Sequence, residues 1–472
     1  MTSAYTDLQT MVAAIRSGRQ GATVAAIFDF GGALIDRPRP RHRPHRRHTP
    51  ADVLVESMHN SRTEAEYRRI LQLLSATLAG RTEHEVDELS RRIFQRTVYG
   101  YLYPEAWRLI RSHRAAGHTV VLISSLTRFH ISPAAAHLGI EHVCCTPMAT
   151  HDGILTGSPS ATTLWGHGKR DAVTSFAAAH AIELEHSYAY AGTVADEPML
   201  SVVGRPVVVN PDDALAEVAD RRQWKRLAFH PRRPPRARDY ARTAAGFVGL
   251  FGGAFVGVAS KALTGNRQHM ADALMVHAAG YALRATGVRV RVTGAEHAMS
   301  PRPAVFLFNH QSQFDIVVLP AALGGGMTGI GKRELTKNPV FGPLLRFVGL
   351  TFIDRANTAH AKAALQPVVD TLRAGLSIVV SPEGTRSYTP EVGPFKKGAF
   401  HIAIQAEVPV IPVVIRNAGE ICWRNAMVAR RGTVDVAILD PIDVSGWDPA
   451  DMDDRVAKVR QLFLDTLLDW PR

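Results

Sequence analysis

A chain of 472 residues is longer than a single core ordinarily supports (~250–300 residues), so two domains are expected. Its 46% hydrophobic and 21% charged content excludes an extended disordered protein, and three cysteines, Cys144, Cys145 and Cys422, exclude a disulfide framework or a thiolate metal site and fit a reducing compartment. The 55 Lys+Arg against 43 Asp+Glu leave +12, which favours an anionic partner: nucleic acid, a phospholipid surface or a phosphorylated substrate.

The first 22 residues lack a basic region followed by a long apolar run and read as a leader without a secretory signal. TVAAIFDF (Thr23 to Phe30) then reads as a buried strand broken by two glycines. Residues 37–50, RPRPRHRPHRRHTP, cannot bury an apolar face and read as a solvated basic insertion, with contact to an anionic surface as the other reading. A helical pattern, PEAWRLIRSHRAAG, precedes the strand HTVVLISS (His118 to Ser125), and HSYAYAG and RPVVVNPD continue the alternation of helix and strand that builds a parallel α/β sheet. A basic, proline-containing stretch at 221–242 marks a linker.

Residues 243–260 carry no charge, at the short edge of what crosses a ~30 Å hydrocarbon layer, and Gly249, Gly253 and Gly257 fall four apart on one helical face. A second helical pattern at 270–287 makes 243–287 a helical hairpin, flanked by Arg232, Arg233, Arg236, Arg238 and Arg242, cations suited to an anionic leaflet. Membrane association is the preferred reading over a buried soluble helix pair. Spanning and lying in one leaflet both fit the length.

From Ala304 an apolar strand, AVFLF, stops at Asn309 and His310, and an acid, Asp315, follows the histidine five positions on. A histidine at a strand exit sits where α/β enzymes place their chemistry. Imidazole accepts a hydroxyl proton near neutral pH, and a carboxylate on its other nitrogen fixes the tautomer. A His and an Asp at this spacing also arise by chance, so the pair gains weight only from its company.

That company is GIGKREL (Gly329 to Leu335), NPVFGPLLRFVGLTFIDR (Asn338 to Arg355), SIVVSPEGTRS (Ser377 to Ser387), FKKGAF and VPVIPVVI. In this order the blocks resemble the glycerol-phosphate acyltransferases of phospholipid synthesis, most closely 1-acylglycerol-3-phosphate acyltransferases. The resemblance covers about Thr243 to the C-terminus, with 288–472 as the acyltransferase domain. It implies His310 as general base and Asp315 as its partner. It also implies acceptor contacts from Asn309, Lys332, Arg355, Glu383, Gly384, Thr385 and Arg386, with Arg386 clamping the phosphate and Pro409 and Pro412 shaping the pocket wall. The implied reaction moves an acyl chain from acyl-CoA or acyl carrier protein to lysophosphatidate, giving phosphatidate, with no metal or other cofactor. The implied location is the cytoplasmic face of the cell membrane, against phospholipid.

IFDFGGALID (Ile27 to Asp36) resembles the first block of haloacid-dehalogenase-like phosphatases, in the phosphoserine phosphatase branch. This implies a Rossmann-like α/β domain over 23–220 with a helical cap at about 51–103. Asp29 matches the nucleophile, but Gly31 stands at the position of the general acid and Ala33 at that of the threonine. Ser124 and Lys169 match phosphate-site residues. In YAGTVADEPML, Gly192 replaces the Mg²⁺-binding aspartate and Asp196 matches the later acid. The family implies Mg²⁺, and the loss of two acids argues against an efficient metal site, so a weak or inactive phosphatase is expected, with residual binding of a phosphorylated ligand as an extension. A bifunctional enzyme with an active phosphomonoesterase, or glycerol-3-phosphate as the acceptor, is the alternative. A membrane-bound nucleic-acid or partner-binding protein is disfavoured, because 7% aromatic content offers little for base stacking and no nucleic-acid module is visible.

Overall fold

The computed structural model describes residues 5–36, 63–96, 98–230, 235–332, 341–353, 361–386, 392–422 and 426–471. The basic tract at 37–50 and the start of the expected cap lie outside the described residues. The chain forms two compact units, Met1–Arg233 and Pro234–Arg472.

The first unit contains β1 (Ala25–Asp29), β2 (Thr119–Thr127), β3 (His142–Thr146), β4 (Met148–His151), β5 (Ile154–Pro159), β6 (Tyr188–Ala191), β7 (Arg205–Val209) and β8 (Lys225–Leu227). Six of these pair in the order β3-β2-β1-β6-β7-β8, parallel throughout, while β4 and β5 form a separate antiparallel hairpin. Every residue of β1 is buried, as its unbroken apolar run requires in a parallel sheet covered on both faces. The cap supplies helices Glu64–Ala76, started by a Thr63/Glu66 capping box, and Glu83–Arg96.

Two stretches differ from expectation. Within the expected leader, Leu8–Ser17 is a helix capped by Asp7 that buries Met11, Val12 and Ile15. The basic linker at 221–242 is largely ordered. Within it Lys225–Leu227 adds β8 to the sheet and Trp224, Leu227 and Phe229 are buried, while a helix begins at Ala237. The arginines dominate its composition, but the interspersed apolar residues decide its structure.

The second unit contains β9 (Val288–Thr293), β10 (Val305–Phe308), β11 (Met327–Lys332), β12 (Thr351–Ile353), β13 (Ser377–Val380), β14 (Val410–Ile415) and β15 (Gly432–Ile438), ordered β12-β11-β13-β10-β14-β15-β9. Neighbours run parallel except β14 and β15. β10 is central, and its period-two alternation sends Phe306 and Phe308 into one core and Val305 and Leu307 into the other.

Helices Ala237–Lys261 and Arg267–Thr286 form the hairpin. Its glycines serve close approach within the chain. A Cβ on Gly253 would lie 2.5 Å from the His277 carbonyl oxygen, and one on Gly249 would lie 2.9 Å from that of Tyr281. The opposite side of the first helix exposes Phe247, Val248, Phe251 and Phe255, the last at 75%. By length and composition Ala237–Thr264 could cross a membrane, and among the described residues it is the one helix that could.

Candidate functional site

β10 ends at Phe308, and the next two residues are held by hydrogen bonds to β14 and to the turn after β13. The side-chain amide of Asn309 donates to the Ile415 carbonyl (2.8 Å) and accepts from the Ile415 N–H (2.7 Å), which pins the loop to β14. The backbone N–H of His310 donates to Glu383 Oε1 at 2.9 Å, and Glu383 Oε2 accepts from Gly393 N–H at 2.8 Å. Burial raises the Glu383 pKa against the pull of these two hydrogen bonds. Asn309 and Glu383, both expected to contact the acceptor, are buried, and each polar end of their side chains has a backbone partner that helps position His310.

The histidine ring is oriented by Asp315, the first residue of helix Asp315–Leu323. His310 Nδ1 lies 2.7 Å from Asp315 Oδ2. A carboxylate can only accept here, so Nδ1 carries the proton and Nε2 keeps its basic lone pair. The same carboxylate oxygen accepts from the backbone N–H groups of Gln311 (3.1 Å) and Ser312 (3.0 Å). Asp315 is 1% exposed while the His310 side chain keeps 28% exposure. The orienting acid is therefore sealed and the base is open. Ser312 Oγ donates to the Cys422 carbonyl and accepts from Phe314 N–H, which fixes the turn between them. Neither Gln311 nor Ser312 was legible as a contributor, since backbone N–H groups carry no residue signature.

Ser381 to Arg386 form the turn after β13. Gly384 takes φ +72°, a conformation that disfavours a side chain, and a Cβ there would meet Lys396 Nζ at 3.1 Å. Lys396, from the FKKGAF block, thus lies over the turn that carries Thr385, exposed, and Arg386, half-buried. Sequence reasoning had not singled it out. Lys332 closes β11, and Arg355 lies outside the described residues.

In the first unit β1 delivers Asp29, the helix His167–Ala179 delivers Lys169, and the turn after β6 delivers Asp196. Lys169 Nζ sits 2.7 Å from Asp29 Oδ1 and 2.6 Å from Asp196 Oδ1. Asp29 Oδ2 accepts from Gly32 N–H at 2.7 Å, and Asp196 Oδ2 accepts from Thr193 Oγ1. Burial, then the neighbouring Asp196, push the Asp29 carboxyl pKa up. Burial would lower that of Lys169, but the two carboxylates outweigh it and the ammonium is held charged. Ser124 Oγ accepts from Leu126 N–H at 3.1 Å. From the cap, Tyr67 packs on Trp165 with ring centroids 4.9 Å apart and the planes tilted by 40°, and its phenol feels the charges of all three clustered residues.

A family model described as acyltransferase matches residues 289–416, and one described as haloacid dehalogenase-like hydrolase matches residues 23–201. The 1-acyl-sn-glycerol-3-phosphate acyltransferase of Saccharomyces cerevisiae is 33% identical over 241 residues, which are 48% of this chain and 77% of that protein. The chain belongs to the 1-acyl-sn-glycerol-3-phosphate acyltransferase family. Another member, the human 1-acyl-sn-glycerol-3-phosphate acyltransferase alpha, is 35% identical over 179 residues, 38% of this chain, and the chain spans 63% of that relative's length. A solved family structure, the 1-acyl-sn-glycerophosphate (LPA) acyltransferase of Thermotoga maritima, is 26% identical, with a TM-score of 0.43 and coverage of 50% of this chain and 98% of its own. The N-terminal α/β unit, with its helical cap, is an added haloacid-dehalogenase-like domain beside the acyltransferase.

Proposed function

We propose that the C-terminal unit transfers an acyl chain from acyl-CoA or acyl carrier protein to the free hydroxyl of 1-acylglycerol-3-phosphate, making phosphatidate. The observation that carries this reading is the His310–Asp315 pair at the exit of β10, with a buried carboxylate on Nδ1 and an open imidazole face. His310 Nε2 takes the hydroxyl proton as the acceptor oxygen bonds to the thioester carbonyl carbon. The tetrahedral adduct then collapses, the C–S bond breaks, and the imidazolium returns its proton to the departing thiolate. No acyl-enzyme forms.

Arg386, with Lys332 and Arg355, holds the acceptor phosphate, and Gly384 and Thr385 shape that pocket. Arg386 suits the role because its planar guanidinium offers paired donors to phosphate oxygens. The hairpin at 237–286 seats the enzyme on the cytoplasmic face of the membrane. Its exposed Phe247, Phe251 and Phe255, together with Ile316 one residue beyond Asp315, support a site that opens toward lipid. The N-terminal unit is a weak or inactive phosphatase, since Gly31 and Gly192 stand where two acids are needed.

Acyl transfer from labelled acyl-CoA to 1-acylglycerol-3-phosphate in detergent micelles tests the main reading, with His310→Ala beside wild type. Phosphatidate made by the wild type alone supports it. Transfer by neither protein, with glycerol-3-phosphate as well as lysophosphatidate and with both donors, sinks it.

A further inference from the structure

The fold family of the N-terminal unit implies a divalent metal, and the residues present do not fit one. A Mg²⁺ site needs carboxylate oxygens free to coordinate. Here all four oxygens of the two acids are engaged within the protein: one each by the Lys169 ammonium, one by Gly32 N–H and one by the Thr193 hydroxyl. None of these atoms is among the buried polar atoms that lack a partner, in contrast to Asp315 Oδ1 in the other unit. Asp29, Lys169 and Asp196 are respectively 4%, 6% and 1% exposed, so the cluster is sealed from bulk solvent. The third side-chain ligand is gone at Gly192. There two backbone segments close in, for a Cβ on Gly32 would lie 2.6 Å from Gly192 N.

We infer that Lys169 is the resident cation of this site, a structural ammonium that ties β1 to the turn after β6, and that the site binds no divalent metal. This rests on the reading of the unit as a weak or inactive phosphatase and adds what took the metal's place. An ammonium between two carboxylates supplies one positive charge where the metal would supply two, and it reaches both acids without water. The cluster is then a fixed brace under the cap, beside Tyr67, and each oxygen of its acids already takes a donor from the protein itself.

The test uses the full chain in detergent with Mn²⁺ as a paramagnetic probe. Wild type and Asp29→Asn should bind Mn²⁺ identically, with no saturable site that depends on Asp29, and millimolar Mg²⁺ should leave the wild-type melting temperature unchanged. Lys169→Met leaves two facing carboxylates without their cation. Its melting temperature should fall by roughly 10 °C and recover when Mg²⁺ is added, because the acids now accept a metal. A wild-type Mn²⁺ site lost in Asp29→Asn overturns the inference, and this measurement stands even where Lys169→Met does not fold. Metal-free phosphate release that Asp29→Asn abolishes would sink the reading of a weak phosphatase while leaving Lys169 as the cation. A metal bound at Asp29 without hydrolysis would do the reverse.

Discussion

Replacing Asp315 by Asn separates the charge of the orienting acid from its geometry. The oxygen that accepts from His310 Nδ1, Gln311 N–H and Ser312 N–H is Oδ2, while Oδ1 is buried with no partner. The asparagine carbonyl can therefore take the Oδ2 position, with its amide nitrogen in the place of an atom that faced no donor. Tautomer and loop are kept, and the negative charge is lost. A charge pair ~4 Å apart at an effective dielectric constant of ~20 is worth about 4 kcal/mol. The 28% exposure of His310 screens part of that, leaving about 3 kcal/mol of lost imidazolium stabilisation. Expected is a fall in kcat of roughly 10²–10³-fold, with KM for lysophosphatidate and the melting temperature nearly unchanged. The assay is steady-state acyl transfer in micelles, with thermal melting as the control. A kcat within about tenfold of wild type, or a loss confined to KM, would refute the assignment of Asp315 as the group that stabilises the charged base.

Glu383→Gln should lower kcat and melting temperature together. Two backbone N–H groups converge on the carboxylate, and an amide can accept one of them but must turn its NH₂ toward the other, at about 1–3 kcal/mol. A variant that raises only the acceptor KM would show that Glu383 acts on the acceptor and not by positioning the His310 loop. Gly253→Leu should break the hairpin, since its Cβ meets the His277 carbonyl, a backbone atom that cannot swing aside. Loss of about 1–3 kcal/mol or more, read by melting and by detergent monodispersity, is expected, and an unaltered melt would contradict the packing. Phe251→Asp with Phe255→Asp should weaken flotation with anionic vesicles without lowering transfer to micellar acceptor, and undiminished flotation would place the lipid contact elsewhere.

Acid should loosen the N-terminal unit through a buried histidine pair. His113 Nδ1 lies 2.8 Å from His118 Nδ1, His113 Nε2 lies 2.7 Å from the Tyr190 hydroxyl, and His118 Nε2 lies 2.8 Å from the Arg19 carbonyl oxygen. A carbonyl only accepts, so His118 must donate from Nε2 and accept at Nδ1, and the chain of donors runs from Tyr190 through His113 and His118 to Arg19. Burial lowers the pKa of both rings, so the folded state binds fewer protons than the unfolded one. Stability from this pair is present above the ordinary histidine pKa and is lost as pH falls below ~6.5. Hydrogen exchange of peptides from β2 and β6 in the full chain should accelerate over that range, and less so in His113→Gln. Equal acceleration in both would point to another group.

Local pattern was enough to reveal β1, β2, β6, β7 and β10, the helical hairpin and the acid–histidine spacing, because apolar runs, period-3.6 burial and glycine breaks are written in consecutive residues. The pairing of His310 with Asp315 was legible for the same reason, since the two residues lie within one turn of chain. Tertiary structure decided the rest. That Asn309 meets Ile415 and that Glu383 meets Gly393 and the His310 backbone could not be read from the sequence, because these partners come from distant segments. The hairpin glycines could have faced another chain and instead face His277 and Tyr281. In the N-terminal unit the missing acids at Gly31 and Gly192 were visible by comparison with a motif. That Lys169 spans Asp29 and Asp196 was not, because an ammonium, 140 residues from one acid and 27 from the other, meets both only when β1, the 193–196 turn and its own helix converge.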